Sequence, residues 1–233
     1  MCTLLVLWDI DHTLIENHGV NKEIYAQAFE FLTGRPTQHR ARTEGRTEPE
    51  ILRNMLIEHG IEPNSDNMIR MLEALDSATL SKFAILRERG HELPGARDAL
   101  TALQSASDII QSVLSGNIKP NAVTKLSAFA LERFIDFEVG GYGSDDNVRD
   151  NLVAVAQERA TVKYGVEFEK SNTVLIGDTS RDVQAGRNGG AHVIAVATGS
   201  ESAEELQAAG ADMVLPDLRD TQAVVKAIRS LAD

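Results

Sequence analysis

Short apolar runs alternate with helical patterns through the second half of this chain, and no other feature constrains the fold as strongly. The runs are DIIQSVL (108–114), FEVGGYG (near 140), NTVLIGD (172–178), AHVIAVA (191–197) and ADMVL (211–215). Between them, apolar residues recur at helical spacing, as Leu152, Val155 and Ala156 do. This alternation predicts βα units arranged around a mostly parallel sheet.

The first half of the chain has a different pattern. One apolar run, LLVLW, is typical of a buried strand, and no comparable run follows it over the next eighty or so positions. Apolar residues there fit three amphipathic helices, within residues 24–32, 51–56 and 68–86. We therefore predict an α/β fold: a Rossmann-like, three-layer parallel-sheet core at 1–15 and 93–233, with a helical cap inserted at 16–92.

Charge and composition exclude several classes of protein. The 233-residue chain has 23 Lys and Arg against 35 Asp and Glu, and this formal charge of -12 disfavours nucleic acid or an anionic membrane as a partner. No apolar run approaches the roughly 20 residues of a membrane span. The single cysteine, Cys2, permits no intramolecular disulfide and suits a reducing cytosol. We expect a cytoplasmic monomer or weak homodimer that acts on a small molecule.

Polar residues follow three of the apolar runs. Asp9 and Asp11 follow LLVLW, Ser115-Gly116-Asn117 follows DIIQSVL, and Asp178 follows NTVLIG. Ligands of open α/β sheets bind in the crevice outside the carboxyl ends of the strands. The three segments are therefore predicted to form one site.

The carboxylates at this site indicate a metal and a reaction. Carboxylates held close together repel unless a cation or a shared proton intervenes, and Mg²⁺ is commonly held by one or two carboxylates together with substrate phosphate and water. An aspartate can attack phosphorus to form an aspartyl-phosphate, while a second group exchanges protons with the leaving group and with water. Side chains two positions apart on an extended segment share a side, which favours Asp9 as the nucleophile and Asp11 as the acid/base.

The order of the motifs adds a family resemblance. DxDxTL at 9–14, SGN at 115–117 and GDTSRD at 177–182 resemble the haloacid dehalogenase superfamily. The match is specifically to phosphoglycolate phosphatase-like members with a helical cap. The resemblance implies that Asp9 and Asp11 are catalytic, that the backbone carbonyl of Asp11 is on the metal, that Ser115 binds a phosphoryl oxygen, and that Asp178 completes the Mg²⁺ site.

Other site residues follow less directly. Asn117 is expected to position Asp11 or the substrate, and Gly116 and Thr13 are grouped with it as substrate-binding residues. Asp182 is interpreted either as a metal ligand or as a helix cap beside the metal site. At the position after Asp11, where the family commonly has Gly, this chain has His12.

Two basic residues complete the prediction. Family members often have Lys-Pro before the helix that follows the third strand, whereas the window GYGSDDNVRDNLVAVA contains no Lys. Arg149 is our first choice for the cation that neutralises Asp9 and the phosphoryl group, with Lys119 and Lys125 as alternatives. In the cap, Arg46 is interpreted as holding a distal anionic or hydroxyl group of the substrate, or as part of a turn before a helix that Thr47 caps.

These residues predict a Mg²⁺-dependent phosphatase that hydrolyses a small-molecule phosphomonoester through an aspartyl-phosphate. A phosphomutase and a haloacid dehalogenase on the same fold are the nearest alternatives. A phospho-accepting signalling module is a more distant alternative, because such modules lack a helical insertion of roughly 75 residues after the first strand. An insertion of that length is unusual for a mere connection. The leaving group of the substrate stays open at this point.

Overall fold

The computed structural model describes residues 3–43 and 45–231, so Cys2 lies outside the described residues. Within these ranges, no helix combines the length and the apolar character that a membrane crossing requires. The strands are Leu4–Trp8 (β1), Ile15–Glu16 (β2), His91–Glu92 (β3), Ile109–Ser115 (β4), Gly141–Tyr142 (β5), Thr173–Gly177 (β6), His192–Val196 (β7) and Met213–Leu215 (β8).

Six of these strands form one parallel sheet in the order β5-β4-β1-β6-β7-β8. Each apolar run of the second half contributes one strand to it, and LLVLW supplies β1 in the centre. The predicted α/β fold with a Rossmann-like parallel sheet is therefore confirmed. The strand order places β1 between β4 and β6, so the segments that follow these three strands are neighbours.

The α-helices of the described residues surround the sheet and fill the insertion. They are Val20–Thr33 (α1), Glu48–Glu58 (α2), Ser65–Ser81 (α3), Phe83–Arg89 (α4), Ala96–Gln104 (α5), Lys119–Ser127 (α6), Asn151–Tyr164 (α7), Ser180–Gly189 (α8), Ala203–Ala209 (α9) and Thr221–Leu231 (α10).

The central strand is covered on both faces. Leu4, Val6 and Trp8 pack in a cluster that includes apolar residues of α5 and α10, whereas Leu5 and Leu7 pack in a cluster with residues of α7 and α8. A strand buried on both faces is apolar at every position, which explains the uninterrupted run LLVLW. Helices, sheet and helices form three layers.

The inserted segment differs in two respects from the sequence prediction. Its described residues form four helices rather than three, because the predicted third helix is divided at Lys82. There φ is -93° and ψ is 3°, in the sparsely allowed region between helix and extended backbone. The short strands β2 and β3, which the sequence did not predict, pair antiparallel where the chain enters and leaves the insertion.

The insertion, which we call the cap (residues 16–92), has its own apolar cluster. It includes the predicted Ile24, Ala28 and Met55. Two residues from outside the cap, Ile118 and Ala128, belong to the same cluster, and they lie at the two ends of α6. The cap therefore packs on the helix that follows β4.

Candidate active site

The polar segments after β1, β4 and β6 meet at one edge of the sheet. A cavity of about 430 Å³ opens there. Most of the predicted site residues line it: Asp9, Asp11, Arg46, Ser115, Gly116, Asn117, Arg149, Asp178 and Asp182. Thr13 does not line this cavity; it is fully buried, and its hydroxyl donates to Oδ1 of Asp178 at 3.1 Å.

Three buried carboxylates form the candidate metal centre. Asp9, Asp178 and Asp182 each offer an oxygen atom, and these atoms all lie within 4.8 Å of one another. Asp9 and Asp178 directly follow neighbouring strands, while Asp182 lies in the first turn of α8. There Asp182 accepts from the backbone N–H of Thr179, whose hydroxyl accepts in return from the backbone N–H of Asp182.

Crowding of these carboxylates changes their pKa values. Burial, followed by repulsion from Asp182, raises the pKa of Asp9 from 3.8 to about 7, although Arg149 opposes the shift. Burial and the charges of Asp182 and Asp9 also raise the pKa of Asp178 well above its ordinary value. The cluster therefore favours either bound protons or a cation.

The donor set fits Mg²⁺. The three side chains offer hard, anionic oxygen atoms, which Mg²⁺ prefers over nitrogen or sulfur ligands. Asp11 is predicted at the metal through its backbone carbonyl, and its carboxylate lies outside this cluster. Only its backbone carbonyl, the group that the resemblance implies, is a candidate ligand.

Arg149 is the cation beside Asp9. Its Nη2 donates to Oδ1 of Asp9 at 2.8 Å and also to Oδ1 of Asp182. The side chain is only 10% exposed, so Arg149 is not an ordinary solvated residue. Burial alone would lower the pKa of Arg149, but the charges of Asp182 and Asp9 outweigh it and keep the guanidinium charged.

Lys125 is the cation beside Asp11. Its side chain is 1% exposed, and Nζ donates to Oδ2 of Asp11 at 2.8 Å and to Oδ1 of Asn117 at 2.5 Å. The third candidate, Lys119, instead pairs with Glu138 and does not line the cavity. The two catalytic candidates, Asp9 and Asp11, therefore have separate cationic partners.

Asp11 is further held by three amides. Nδ2 of Asn117 donates to its Oδ2 at 3.1 Å, and the amides of Asn17 and Asn21 donate to its Oδ1 at 3.2 Å and 2.9 Å. Burial favours the protonated form, but the charge of Lys125 and these hydrogen bonds outweigh it and lower the pKa of Asp11 to about 2. In this arrangement Asp11 is ionised.

In the loop that joins Asp11 to β2, the backbone is strained at His12. His12 has a φ of 65°, a left-handed conformation that glycine adopts without penalty and other residues rarely adopt. Its backbone N–H donates to the carbonyl of Ile15, and its carbonyl accepts from the hydroxyl of Thr198. These bonds hold His12 in a position that suits glycine.

The cap loop around Arg46 lies directly on the SGN segment. The backbone N–H of Glu48 donates to the carbonyl of Gly116 at 2.7 Å, and a Cβ on Gly116 would overlap the carbonyl oxygen of Arg46. Nε of Arg46 donates to Oε1 of Glu50 at 3.0 Å, and Thr47 caps α2 as predicted. Ser115 is buried, and its hydroxyl accepts from the amide of Asn117 at 2.7 Å.

The sequence prediction missed several residues of the cavity. Tyr25, Glu48, Asn17 and Asn21 all line it. The only available signal was for Glu48, which lies two residues after the predicted Arg46. An acidic residue in the first turn of a helix is normally explained by the helix dipole, so it did not suggest a buried position.

The comparisons with known proteins agree with this geometry. Residues 151–221 match the model of a family described as HAD-hydrolase-like. Over this segment the chain is similar to haloacid dehalogenase-like hydrolases. The resemblance predicted from the motifs is thereby confirmed, and the matched segment contains Asp178 and Asp182. A search of curated proteins finds no match to the sequence.

Several solved structures are similar in fold over nearly the whole chain. A hydrolase from Pseudomonas syringae has a TM-score of 0.69 at 21% identity, over 97% of this chain and 99% of that chain. A predicted phosphoglycolate phosphatase from Haemophilus somnus has a TM-score of 0.66 at 15% identity, over 96% and 98%. CbbY from Rhodobacter sphaeroides, in complex with phosphate, has a TM-score of 0.70 at 16% identity, over 94% and 96%.

Proposed function

We propose that this protein is a Mg²⁺-dependent phosphatase that hydrolyses a small-molecule phosphomonoester through an aspartyl-phosphate on Asp9. One observation carries the proposal. Asp9 belongs to a buried group of three carboxylates with an arginine, while Asp11, two positions away, is held apart by a separate lysine. The haloacid dehalogenase-like family match supports an enzyme of the hydrolase type. Likeness to a predicted phosphoglycolate phosphatase and to a protein bound to phosphate supports the substrate class.

The chain has a formal net charge of -12, so positive charge within the site itself must attract an anionic substrate. Mg²⁺ would be held by Asp9, Asp178 and Asp182, and when bound it supplies positive charge for the phosphoryl oxygens. Arg149 supplies further positive charge beside Asp9, in a planar group that suits phosphate. The hydroxyl of Ser115, at the end of the neighbouring strand, is the donor for another phosphoryl oxygen.

In the first step, a carboxylate oxygen of Asp9 attacks phosphorus and the bond between phosphorus and the ester oxygen breaks. The leaving oxygen takes a proton from Asp11. In the second step, Asp11 takes a proton from water, the water oxygen attacks phosphorus, and the bond to Asp9 breaks to release inorganic phosphate. Each residue ends in its starting state.

The environment of Asp11 fits the second step as it stands. Its pKa of about 2 makes it an ionised base at neutral pH. The first step requires a protonated Asp11; the negative charge of the bound phosphate ester favours that form, while Asn117 and Lys125 keep the side chain in place.

The proposal is tested by measuring inorganic phosphate release from a library of metabolite phosphates, with and without Mg²⁺. We expect release that requires Mg²⁺, and we expect Asp9→Asn to abolish it, because an amide is a very weak nucleophile. Asp66→Asn is the matched control, since Asp66 is a cap carboxylate with an 80% exposed side chain. After an acid quench, wild-type protein should carry one phosphoryl group on Asp9.

The rival functions give different results in the same assay. A haloacid dehalogenase would release halide from a 2-haloacid without Mg²⁺, leaving Asp178 and Asp182 without a role. A phosphomutase would transfer the phosphoryl group between sugar phosphates and release little inorganic phosphate. A signalling module would be phosphorylated at a residue other than Asp9. Any of these results would contradict the phosphatase proposal.

A further inference from the structure

Glu48 is a cap residue whose carboxylate is buried against the core. It is the first residue of α2 and is 2% exposed. Its Oε2 accepts from the backbone N–H of Ile118 at 2.8 Å and from Nδ2 of Asn121 at 2.9 Å, both belonging to the region where α6 begins. Its Oε1 has one contact, the hydroxyl of Tyr25 at 3.4 Å. A first-turn acid that only compensated a helix dipole would be solvated.

The two donors to Glu48 are connected to the two partners of Asp11. Ile118 directly follows Asn117, whose amide donates to Asp11. Asn121 precedes Lys125 by four residues, so the two side chains lie on the same face of α6. Both are buried, with exposures of 0% and 1%. Glu48 thus holds α6 next to each group that holds Asp11.

The charge of Lys125 acts on two carboxylates, those of Asp11 and Glu48. Its charge lowers the pKa of Asp11 and partly offsets the effect of burial on Glu48, which still raises the pKa of Glu48 to about 7. Burying a carboxylate costs desolvation free energy, and apolar side chains would hold the cap on α6 without that cost. The polar contact therefore indicates that Glu48 does more than hold the cap on α6.

We propose that Glu48 is a positioning residue: when the cap is seated, it fixes the start of α6 so that Asn117 and Lys125 present Asp11 to the leaving group. This role rests on the proposed phosphatase function. In the open state Glu48 leaves with the cap, and Ile118 and Asn121 lose their acceptor. Proton donation by Asp11 is thereby linked to closure over the substrate.

The kinetic test uses Glu48→Gln with two esters of similar shape, phenyl phosphate and p-nitrophenyl phosphate. The carbonyl oxygen of glutamine can still accept from both Ile118 and Asn121, but the negative charge that strengthens these two hydrogen bonds is lost, so the hold on α6 weakens. Departure of phenolate needs a proton much more than departure of p-nitrophenolate does. We expect kcat/KM to fall about tenfold or more for phenyl phosphate and less than about threefold for p-nitrophenyl phosphate.

Glu58→Gln is the matched control, because Glu58 is an exposed carboxylate on the same helix. It should leave both values of kcat/KM unchanged. An equal loss on the two esters in Glu48→Gln would show that Glu48 acts only through general structure, and it would overturn the proposal.

A second variant tests the contact itself. Adding Asn121→Asp to Glu48→Gln reverses the polarity of the pair, because the introduced amide can donate to the introduced carboxylate while its oxygen accepts from Ile118. It also restores a negative charge near Lys125. We expect recovery of most of the phenyl phosphate activity. No recovery in a folded double variant, as judged by circular dichroism, would contradict the proposed contact.

Hydrogen exchange separates this proposal from the phosphatase proposal. Without any substrate, the backbone amides of residues 117–125 should exchange faster in Glu48→Gln than in wild type or Glu58→Gln. If wild type releases inorganic phosphate from neither ester nor from any member of the metabolite library, the proposed function fails, whereas faster exchange would still support the hold of Glu48 on α6. Unchanged exchange would overturn the positioning role whatever the activity.

Discussion

At the scale of single residues, Asp9 and Asp11 are two positions apart and have opposite electrostatic environments. Burial among other carboxylates raises the pKa of Asp9, while a buried lysine and three amides lower that of Asp11. Arg149 contacts Asp9 and Lys125 contacts Asp11. Each carboxylate therefore has its own counterion. This arrangement suits the proposed two-step reaction, in which Asp9 is the nucleophile and Asp11 is the acid/base.

Arg149→Lys tests the first of these pairs. A lysine keeps the charge and can contact both carboxylates through its one nitrogen, as Nη2 of Arg149 does, but it has no second nitrogen to present to phosphate. We expect a loss of about 1.4–2.7 kcal/mol of transition-state stabilisation, or roughly ten- to hundredfold in kcat/KM. The measurement is steady-state hydrolysis at saturating Mg²⁺.

Arg70→Lys, on an exposed face of the cap, is the control for the loss of a guanidinium. It should behave like wild type. Full activity in Arg149→Lys would mean that a point charge suffices beside Asp9.

The sequence located some of these residues and not others. Asp9, Ser115 and Asp178 were predicted together because each directly follows an apolar run, and the ends of parallel strands meet. The sequence did not decide between Arg149, Lys119 and Lys125, because it gives charges and not distances. Lys125 lies ten residues beyond the strand end, on a helix whose rotation about its axis depends on packing.

At the scale of elements, the main contact is between the cap loop and the SGN segment. Gly116 lies under the backbone of Arg46, with no room for a side chain. We expect Gly116→Ala to prevent full seating of the cap and to lower kcat/KM by about a hundredfold, because small displacements of catalytic groups have effects of that size.

The melting temperature of Gly116→Ala should change little if only the seating of the cap is impaired, so thermal unfolding is measured beside activity. Wild-type kcat/KM in this variant would show that the loop moves aside without consequence for the reaction.

The helices of the cap show a limit of periodicity. Met68, Leu72, Leu75, Phe83 and Leu86 continue one helical spacing through Lys82, so the pattern predicted one helix where the structure has two. Apolar spacing records which side chains face the core and does not record a local change in φ and ψ. The strands β2 and β3 have two residues each, too few for an alternating pattern.

At the scale of the whole molecule, the alternation of apolar runs and helical patterns was enough to predict the layered fold. Leu4 to Trp8 are apolar at every position because both faces of β1 are covered. The seating of the cap was not predictable, since it depends on Ile118 and Ala128 joining the apolar cluster of another segment. Glu48 was missed for the same reason.

Stability should depend on pH and on Mg²⁺. Asp9 and Glu48 have folded pKa values of about 7, above their ordinary 3.8 and 4.5, so the folded state binds more protons than the unfolded state between those values. Stability therefore falls as pH rises through this window. Without Mg²⁺, we expect a higher melting temperature at about pH 5 than at about pH 8.

Mg²⁺ should reduce this difference, because binding to the proposed site in the folded state would stabilise that state by about 2.7 kcal/mol at a hundred times the Kd. Differential scanning calorimetry at both pH values, with and without Mg²⁺, measures the effect. Asp178→Asn should lose most of the response to Mg²⁺. A melting temperature that is unaffected by Mg²⁺ at about pH 8 would contradict the metal assignment.

The antiparallel pairing of β2 with β3 has a consequence for how a protein of this fold can evolve. Ile15 is paired with Glu92, and Glu16 with His91, so the chain leaves and rejoins the sheet domain at adjacent points. Insertions, deletions or wholesale replacement between those points shift no strand of the six-stranded sheet. Lineages can therefore change the substrates that they accept while the sheet, and the carboxylates at its edge, stay in place.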